Sequence, residues 1–275
     1  MRFQLAAFAD EAGTDIEKQI AAMKENGISY LEIRGVDGEN ISKITKEKAK
    51  EVRKRLDDAG IAVWSLGSPY GKIGIEDTFA PHLDAFCHGL ELAEILGARC
   101  CRMFSFYMPA GKNPADYREE VMERLGGMIE KAKGSEIVLC HENEKEIYGD
   151  IASRCLEIHQ TFPELRAVFD PANFIQCGQD TKEAWELLHS HVEYMHIKDA
   201  MPNGVVVPAG RGVGNLPYLL SEYKGNVLTL EPHLNAFIGL TDLEREGDKS
   251  GSGSFHYGSD REAFDAAATA LKNLI

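Results

Sequence analysis

The chain has 275 residues, 44% of them hydrophobic, and a formal net charge of −14 at pH 7. That length suits one large domain, and α/β barrels commonly reach it undivided, so the expectation is a single domain over 1–275. The acidic balance argues against nucleic acid or an anionic membrane surface as a partner, because phosphate contact needs clustered Lys and Arg.

Strand-like and helix-like segments alternate from end to end. The strand candidates are Phe3–Phe8, Ser29–Ile33, Ala62–Leu66, Arg99–Phe106, Glu136–Glu142, Ala167–Asp170, Tyr194–Lys198 and Val227–Glu231. Helical apolar spacing fills roughly 14–26, 43–59, 77–97, 114–134, 146–161, 180–190, 215–223 and 260–275 between and after them. Gly27, Gly60 and Gly97 suit left-handed C-caps, and Asp180-Thr181 and Asn215 suit N-caps. Eight strands, each followed by a helix, predict an α/β fold of the (β/α)₈ TIM barrel type. The first strand runs into ADEAGTD without GxGxxG, which disfavours a doubly wound dinucleotide-binding sheet. Residues Arg245–Ser259 are Gly/Ser-rich and fit a loop placed to act as a lid. The six cysteines are scattered without CxxC and read as buried reduced thiols. No apolar run approaches the ~18 residues of a membrane span, and the N-terminus is too polar for a secretory signal. A cytoplasmic protein is the expectation.

Four metal-ligand side chains close four successive apolar runs: Glu142, Asp170, His196 and Glu231, separated by 28, 26 and 35 residues. Each separation is about one strand–helix unit, so all four fall at strand ends, where barrel enzymes do chemistry. Alternation supports convergence. With Glu142, His196 and Glu231 inward, Cys140, Val138, Tyr194, Lys198, Thr229 and Val227 share the interior, while Met195, Ile197, Leu228 and Leu230 face the helices. His141 then points outward. Three carboxylates in one narrow mouth repel one another unless a cation shares them. A mostly oxygen donor set suits one divalent ion, Mn²⁺ first, then Mg²⁺, Co²⁺ or Zn²⁺. The plainer alternative pairs some of these residues with Lys198, Arg102 or Arg211.

Several segments carry a resemblance: LGARCCRMF, VLCHENEK, VFDPANF, MHIKDA, PAGRGVGN and LTLEPH. Together they resemble the sugar phosphate isomerase/epimerase group of the xylose isomerase-like TIM barrels over nearly the whole chain. The resemblance implies that Glu142, Asp170, His196 and Glu231 hold the metal. It also implies that Glu142 and Glu231, on opposite faces of a substrate, exchange a proton α to a carbonyl through an enediolate. The expected function is therefore a metal-dependent isomerase or epimerase acting on a sugar, sugar phosphate or sugar acid. The alternative in the same barrel is a lyase or dehydratase on a keto-sugar or inosose. An endonuclease IV-like repair enzyme and a non-catalytic sugar-binding barrel are remote. A small carbohydrate is the expected partner, and such barrels pair as homodimers or homotetramers, with no number fixed here.

The chain departs from ketose epimerases at Asn173, where they carry His, and at Arg211, where relatives often place an acidic residue. Asn173 is expected to hydrogen-bond a substrate hydroxyl. Arg211 is a candidate for a substrate phosphate or carboxylate, or a solvated surface residue. Lys198 is expected in the mouth, polarising a substrate oxygen or pairing with Asp170 or Glu231. Trp64 and Phe106 are candidates to wall the pocket, and His233 to sit in the mouth. Glu32, ending the second strand, faces the mouth or holds a neighbouring strand.

Overall fold

A computed structural model describes residues 2–235 and 255–275. Eight strands form the barrel: β1 Gln4–Ala7, β2 Tyr30–Ile33, β3 Ala62–Leu66, β4 Cys100–Met103, β5 Val138–Glu142, β6 Arg166–Phe169, β7 Val192–Ile197 and β8 Val227–Leu230. Each pairs in parallel with its sequence neighbours, and β1 closes the ring against β8. The fold is thus the expected (β/α)₈ barrel. The outer layer holds α1 Ile16–Glu25, α2 Lys46–Ala59, α3 Ala80–Leu96, α4 Arg118–Ala132, α5 Ala152–Thr161, α6 Pro171–Gln176, α7 Thr181–Leu188, α8 Leu216–Glu222 and α9 Asp260–Lys272.

The helices begin where short polar side chains can take up their free N–H groups. Asp15, Thr45, Asp180 and Ser259 accept from first-turn amides of α1, α2, α7 and α9. Gly60 and Gly97 end α2 and α3 in the left-handed conformation. Asn215 precedes α8, but its amide donates to Thr181 Oγ1 at 2.9 Å instead of capping the helix.

The alternation predicted from sequence separates two cores. Ala6, Cys100, Cys140, Val168, Tyr194 and Val227 fill the barrel interior, with Tyr30, Trp64 and Val138 against them. Met195, Ile197, Leu228 and Leu230 join the larger core between strands and helices. Small Ala and Cys side chains inside leave room for the Tyr194 ring, which Trp64 meets edge-on at 5.8 Å. All six cysteines are free, with four of them buried. Among the described residues no helix is long and apolar enough to cross a membrane.

Two loops beyond the strand ends shape the mouth. After β3 the chain runs directly against the end of β4: Phe104 N–H donates to the Tyr70 carbonyl and Phe106 N–H to that of Gly71. Gly71 has φ +90°, and a Cβ there would lie 2.0 Å from the Phe104 carbonyl oxygen, so only glycine allows this approach. After β7, Asp199–Ala200 pairs with Val206–Val207 as a small hairpin. Most of the Arg245–Ser259 segment expected as a lid lies outside the described residues.

Candidate metal centre

Glu142 is the last residue of β5, His196 lies near the end of β7, and Glu231 follows β8 by one residue. Asp170 follows β6 and caps α6, its Oδ1 accepting from Asn173 N–H at 2.9 Å. One ligand atom from each of the four lies within 4.8 Å of all the others, and all four residues are buried. His196 Nδ1 is the hub, 3.0 Å from Glu142 Oε1, 3.1 Å from Glu231 Oε2 and 3.8 Å from Asp170 Oδ2. Burial opposes a charge on this imidazole, but Glu142, Glu32 and Glu231 outweigh it and hold its pKa well above the usual histidine value.

The other face of the ring is fixed from below. His196 Nε2 lies 3.2 Å from Glu32 Oε2, and Tyr194 Oη donates to Glu32 Oε1 at 2.7 Å. A proton on Nε2, shared with Glu32, would leave Nδ1 turned to the carboxylates as a ligand, the part a carboxylate behind a ligating histidine plays in metal sites. Glu142 Oε2 and Asp170 Oδ2 are buried without a hydrogen-bond partner, each facing a cation only as an ion pair. Oriented Nδ1 and acceptor oxygens to spare in three converging carboxylates fit a divalent ion, and the set of three oxygen residues and one nitrogen is hard.

Cations surround these ligands. Lys198 Nζ bridges Asp170 Oδ2 at 2.9 Å and Glu231 Oε2 at 3.0 Å. Arg102 Nη1 lies 3.1 Å from Glu142 Oε2 and 3.9 Å from Glu231 Oε1, so it stands between two carboxylates. Arg34 clasps Asp10 with two nitrogens at 2.9 Å and approaches Glu231 Oε1 at 3.5 Å. Two aromatic rings separate the cations. Phe8 lies between Arg34 and Arg102, 4.3 and 4.9 Å from its centroid, and Phe104 between Arg102 and Lys72, at 5.0 and 4.5 Å. The result is an alternating ladder, Arg34–Phe8–Arg102–Phe104–Lys72, along one side of the mouth. Burial raises Glu231 in principle, yet Lys198 and His196 prevail and hold it well below the usual carboxylate range. Burial pushes Asp170 up to about 6 and Glu11 up to about 8.

Asn173, Lys198 and His233 arrive at the cluster. Asn173 Nδ2 donates to the Asn143 carbonyl at 2.9 Å and to Glu142 Oε1 at 3.3 Å. His233 Nε2 lies 3.3 Å from Glu231 Oε1, on a backbone with φ +45° whose N–H donates to Glu11 Oε2 at 2.6 Å. Three other candidates are placed elsewhere. The β2–β3 register shifts between Leu31 and Glu32, bringing Ser65 beside Glu32 and leaving Trp64 one layer lower, beneath Tyr194. Phe106 lies beyond the end of β4 with φ +66°, its ring on Phe79 and Arg124 in the outer layer. Arg211 is exposed on its loop. Sequence reasoning left Glu32 undecided, named Arg102 only as an alternative ion-pair partner of the ligand residues, which it is for Glu142 and Glu231, and did not place Phe8 or Arg34 in the site. Phe8 closes the first strand run just as the ligands close theirs, and Arg102 shares the parity of inward Cys100, so both carried a readable signal.

The xylose isomerase-like TIM barrel family model matches residues 20–233. No curated protein sequence matches the chain. Among solved structures, a probable 3-DHS dehydratase from Bacillus anthracis is similar over 99% of each chain, with 16% identity and a TM-score of 0.74. A D-psicose 3-epimerase from Clostridium cellulolyticum H10, solved with D-tagatose, is similar over 98% of each chain, with 14% identity and a TM-score of 0.71. The IOLI protein, solved with a zinc atom, covers 98% of this chain and 97% of its own at 14% identity and a TM-score of 0.73. At these identities the likeness is one of fold.

Proposed function

This chain belongs to the xylose isomerase-like TIM barrel family, and on that premise we propose that it is a divalent-metal-dependent enzyme moving a proton α to a carbonyl of a small carbohydrate, an isomerase or epimerase. The observation that carries this reading is the convergence of Glu142, at the end of β5, and Glu231, just past β8, on one buried imidazole nitrogen at 3.0 and 3.1 Å. Glu142, Asp170, His196 and Glu231 would hold the ion, which when bound polarises a carbonyl as a Lewis acid.

The acid/base work falls to the chain's own carboxylates. A base must be ionised, and the ammonium of Lys198, 3.0 Å from Glu231 Oε2, favours that form of Glu231. Glu231 takes the carbon-bound proton, and Glu142 returns one to the opposite face or to the neighbouring carbon, or the two exchange roles. Return to the opposite face epimerises; return to the neighbouring carbon isomerises. Arg102, fixed between Phe8 and Phe104 and held by the Gly67 carbonyl at 3.1 Å, stands by both carboxylates as one gains and the other loses a proton. Lys198 and Asn173, which now bond Asp170, Glu231, Glu142 and the Asn143 carbonyl, would meet substrate oxygens by exchanging those partners.

The test is deuterium wash-in at carbon, read by NMR, with the Mn²⁺-loaded protein and a panel of ketoses, inososes and keto-acids in D₂O. Exchange is expected with at least one compound, falling about 10²–10⁴-fold in Glu142→Gln and in Glu231→Gln. Loss of a β-hydroxyl in the same spectra would assign the dehydratase alternative. A protein that binds no divalent ion, or exchanges no carbon-bound proton with any compound, would overturn the proposal.

A further inference from the structure

Two residues that directly follow charged side chains of the mouth are tied to the backbone opposite them. After Lys198, the Asp199 carboxylate accepts from the N–H groups of Gly210, Gly212, Gly214 and Ala200, all at 2.9 Å. After Glu142, Asn143 is tied to another ligand residue. The β5–β6 ladder ends with the pair Glu142 and Val168, and beyond it a side chain takes the ladder's place. Asn143 Oδ1 accepts from Asp170 N–H at 3.0 Å, and Asn143 Nδ2 donates to the Asp170 carbonyl at 2.9 Å. An N–H only donates and a C=O only accepts, so the two bonds fix the carboxamide in one orientation.

The pairing closes a ring of hydrogen bonds. Asn173 N–H donates to Asp170 Oδ1 at 2.9 Å, while Asn173 Nδ2 donates to the Asn143 carbonyl at 2.9 Å and reaches Glu142 Oε1 at 3.3 Å. Glu142 and Asp170 thus stand on one buried unit, and Asn143 is the member that joins their two strands. Asp170 Oδ2 makes no hydrogen bond, so its aim into the cluster follows from the backbone beneath it. Asn143 holds both polar groups of that backbone. Without the carboxamide, Asp170 N–H loses its acceptor, and the carbonyl keeps only the long bond from Phe174 N–H at 3.4 Å. A buried N–H left in that way forces the peptide to shift toward another partner.

Resting on the metal-dependent reading above, we infer that Asn143 is a positioning residue that locks Glu142 and Asp170 at the spacing one divalent ion requires. The test compares Asn143→Ala with Leu56→Ala. The latter opens a cavity in the last turns of α2, the end that feeds β3 and lies away from the mouth. Chelator-treated proteins are titrated with Mn²⁺ by calorimetry, melted without metal, and examined by electron paramagnetic resonance with Mn²⁺ bound. Asn143→Ala is expected to bind Mn²⁺ at least tenfold more weakly than the native protein, with an altered zero-field splitting of the ion. Leu56→Ala is expected to melt at a lower temperature and yet keep the native affinity and spectrum. A smaller loss in Asn143→Ala, an unchanged spectrum, or an equal loss in Leu56→Ala overturns the inference. If the alanine variant does not fold, Asn143→Ser, which leaves room for a bridging water, takes its place. If neither folds, Asn143 serves the fold rather than the ligands, and the inference fails. Native protein that binds no Mn²⁺ would instead sink the metal-dependent reading, and the inference with it.

Discussion

Glu32 offers the sharpest test of how the centre is organised, because it touches the ligand set only through His196. Its Oε2 lies 3.2 Å from His196 Nε2, and its Oε1 accepts the Tyr194 hydroxyl at 2.7 Å, all fully buried. Glu32→Gln keeps the shape and an acceptor oxygen but removes the charge. Glu32→Ala removes both and leaves the Tyr194 hydroxyl and the His196 Nε2 proton with fewer partners. Substitution behind a ligating histidine typically weakens metal binding about 10–100-fold, or about 1.4–2.7 kcal/mol. We expect Glu32→Gln near the lower end and Glu32→Ala near the upper. The alanine variant should also lose roughly 2–4 kcal/mol of stability from the groups it orphans. Calorimetric titration of chelator-treated protein with Mn²⁺ measures the affinity, and the melting temperature without metal separates misfolding from misorientation. If Glu32→Gln binds Mn²⁺ within twofold of the native protein, Glu32 does not orient the imidazole and the supporting-shell argument is wrong.

Three further outcomes follow from the same geometry. Glu11 has a folded pKa of about 8 against an ordinary 4.5, raised by burial. Folding therefore favours its neutral form, and this contribution is complete below pH 4.5 and lost as pH rises to about 8. Relative to Glu11→Gln, the native protein should lose up to about 5 kcal/mol across that window; parallel stability–pH curves from urea unfolding would refute the assignment. Phe8→Leu removes the ring shared by Arg34 and Arg102 and its edge contact with His196 at 5.2 Å. It should cost about 2–3 kcal/mol, read as a lower melting temperature, with weaker Mn²⁺ binding. Gly71→Ala sets a methyl group against the Phe104 carbonyl at positive φ; we expect a loss of about 2–4 kcal/mol in urea unfolding.

The barrel was legible because its two signals reinforce each other. Strand parity assigned Cys140, Tyr194 and Val227 to the interior and Met195, Ile197 and Leu228 to the helix layer, and the two cores divide that way. The convergence of Glu142, Asp170, His196 and Glu231 was legible for the same reason, since a residue at a strand end is specified by direction and height together. Height failed where it had to be inferred alone. Trp64 has an inward direction but lies a layer too low, because the register shift at Leu31/Glu32 is a property of two paired strands. Phe106 was counted into a strand that stops at Met103. Arg34 and Arg102 come from β2 and β4 or their ends, and only the stagger imposed by closing the ring brings them level with Glu142 and Glu231. The HIKD and glycine-rich segments were recognised as separate pieces; that Asp199 fills the glycine loop is a contact invisible to spacing.

The shell beneath the ligands also bears on how freely such a protein can change. Glu32, Ser65, Arg102, Glu142, Tyr194 and His196 lie within barrel strands, and Asp170 and Glu231 stand one residue past their ends. The loops around the mouth can thus lengthen, shorten or exchange residues while the geometry of the carboxylate–histidine cluster is held by the ring. On the proposed reading, chemistry and recognition fall to different parts of the chain, with different tolerance to mutation. A laboratory selection for a new substrate should find its first changes in the loops after β1, β3 and β7.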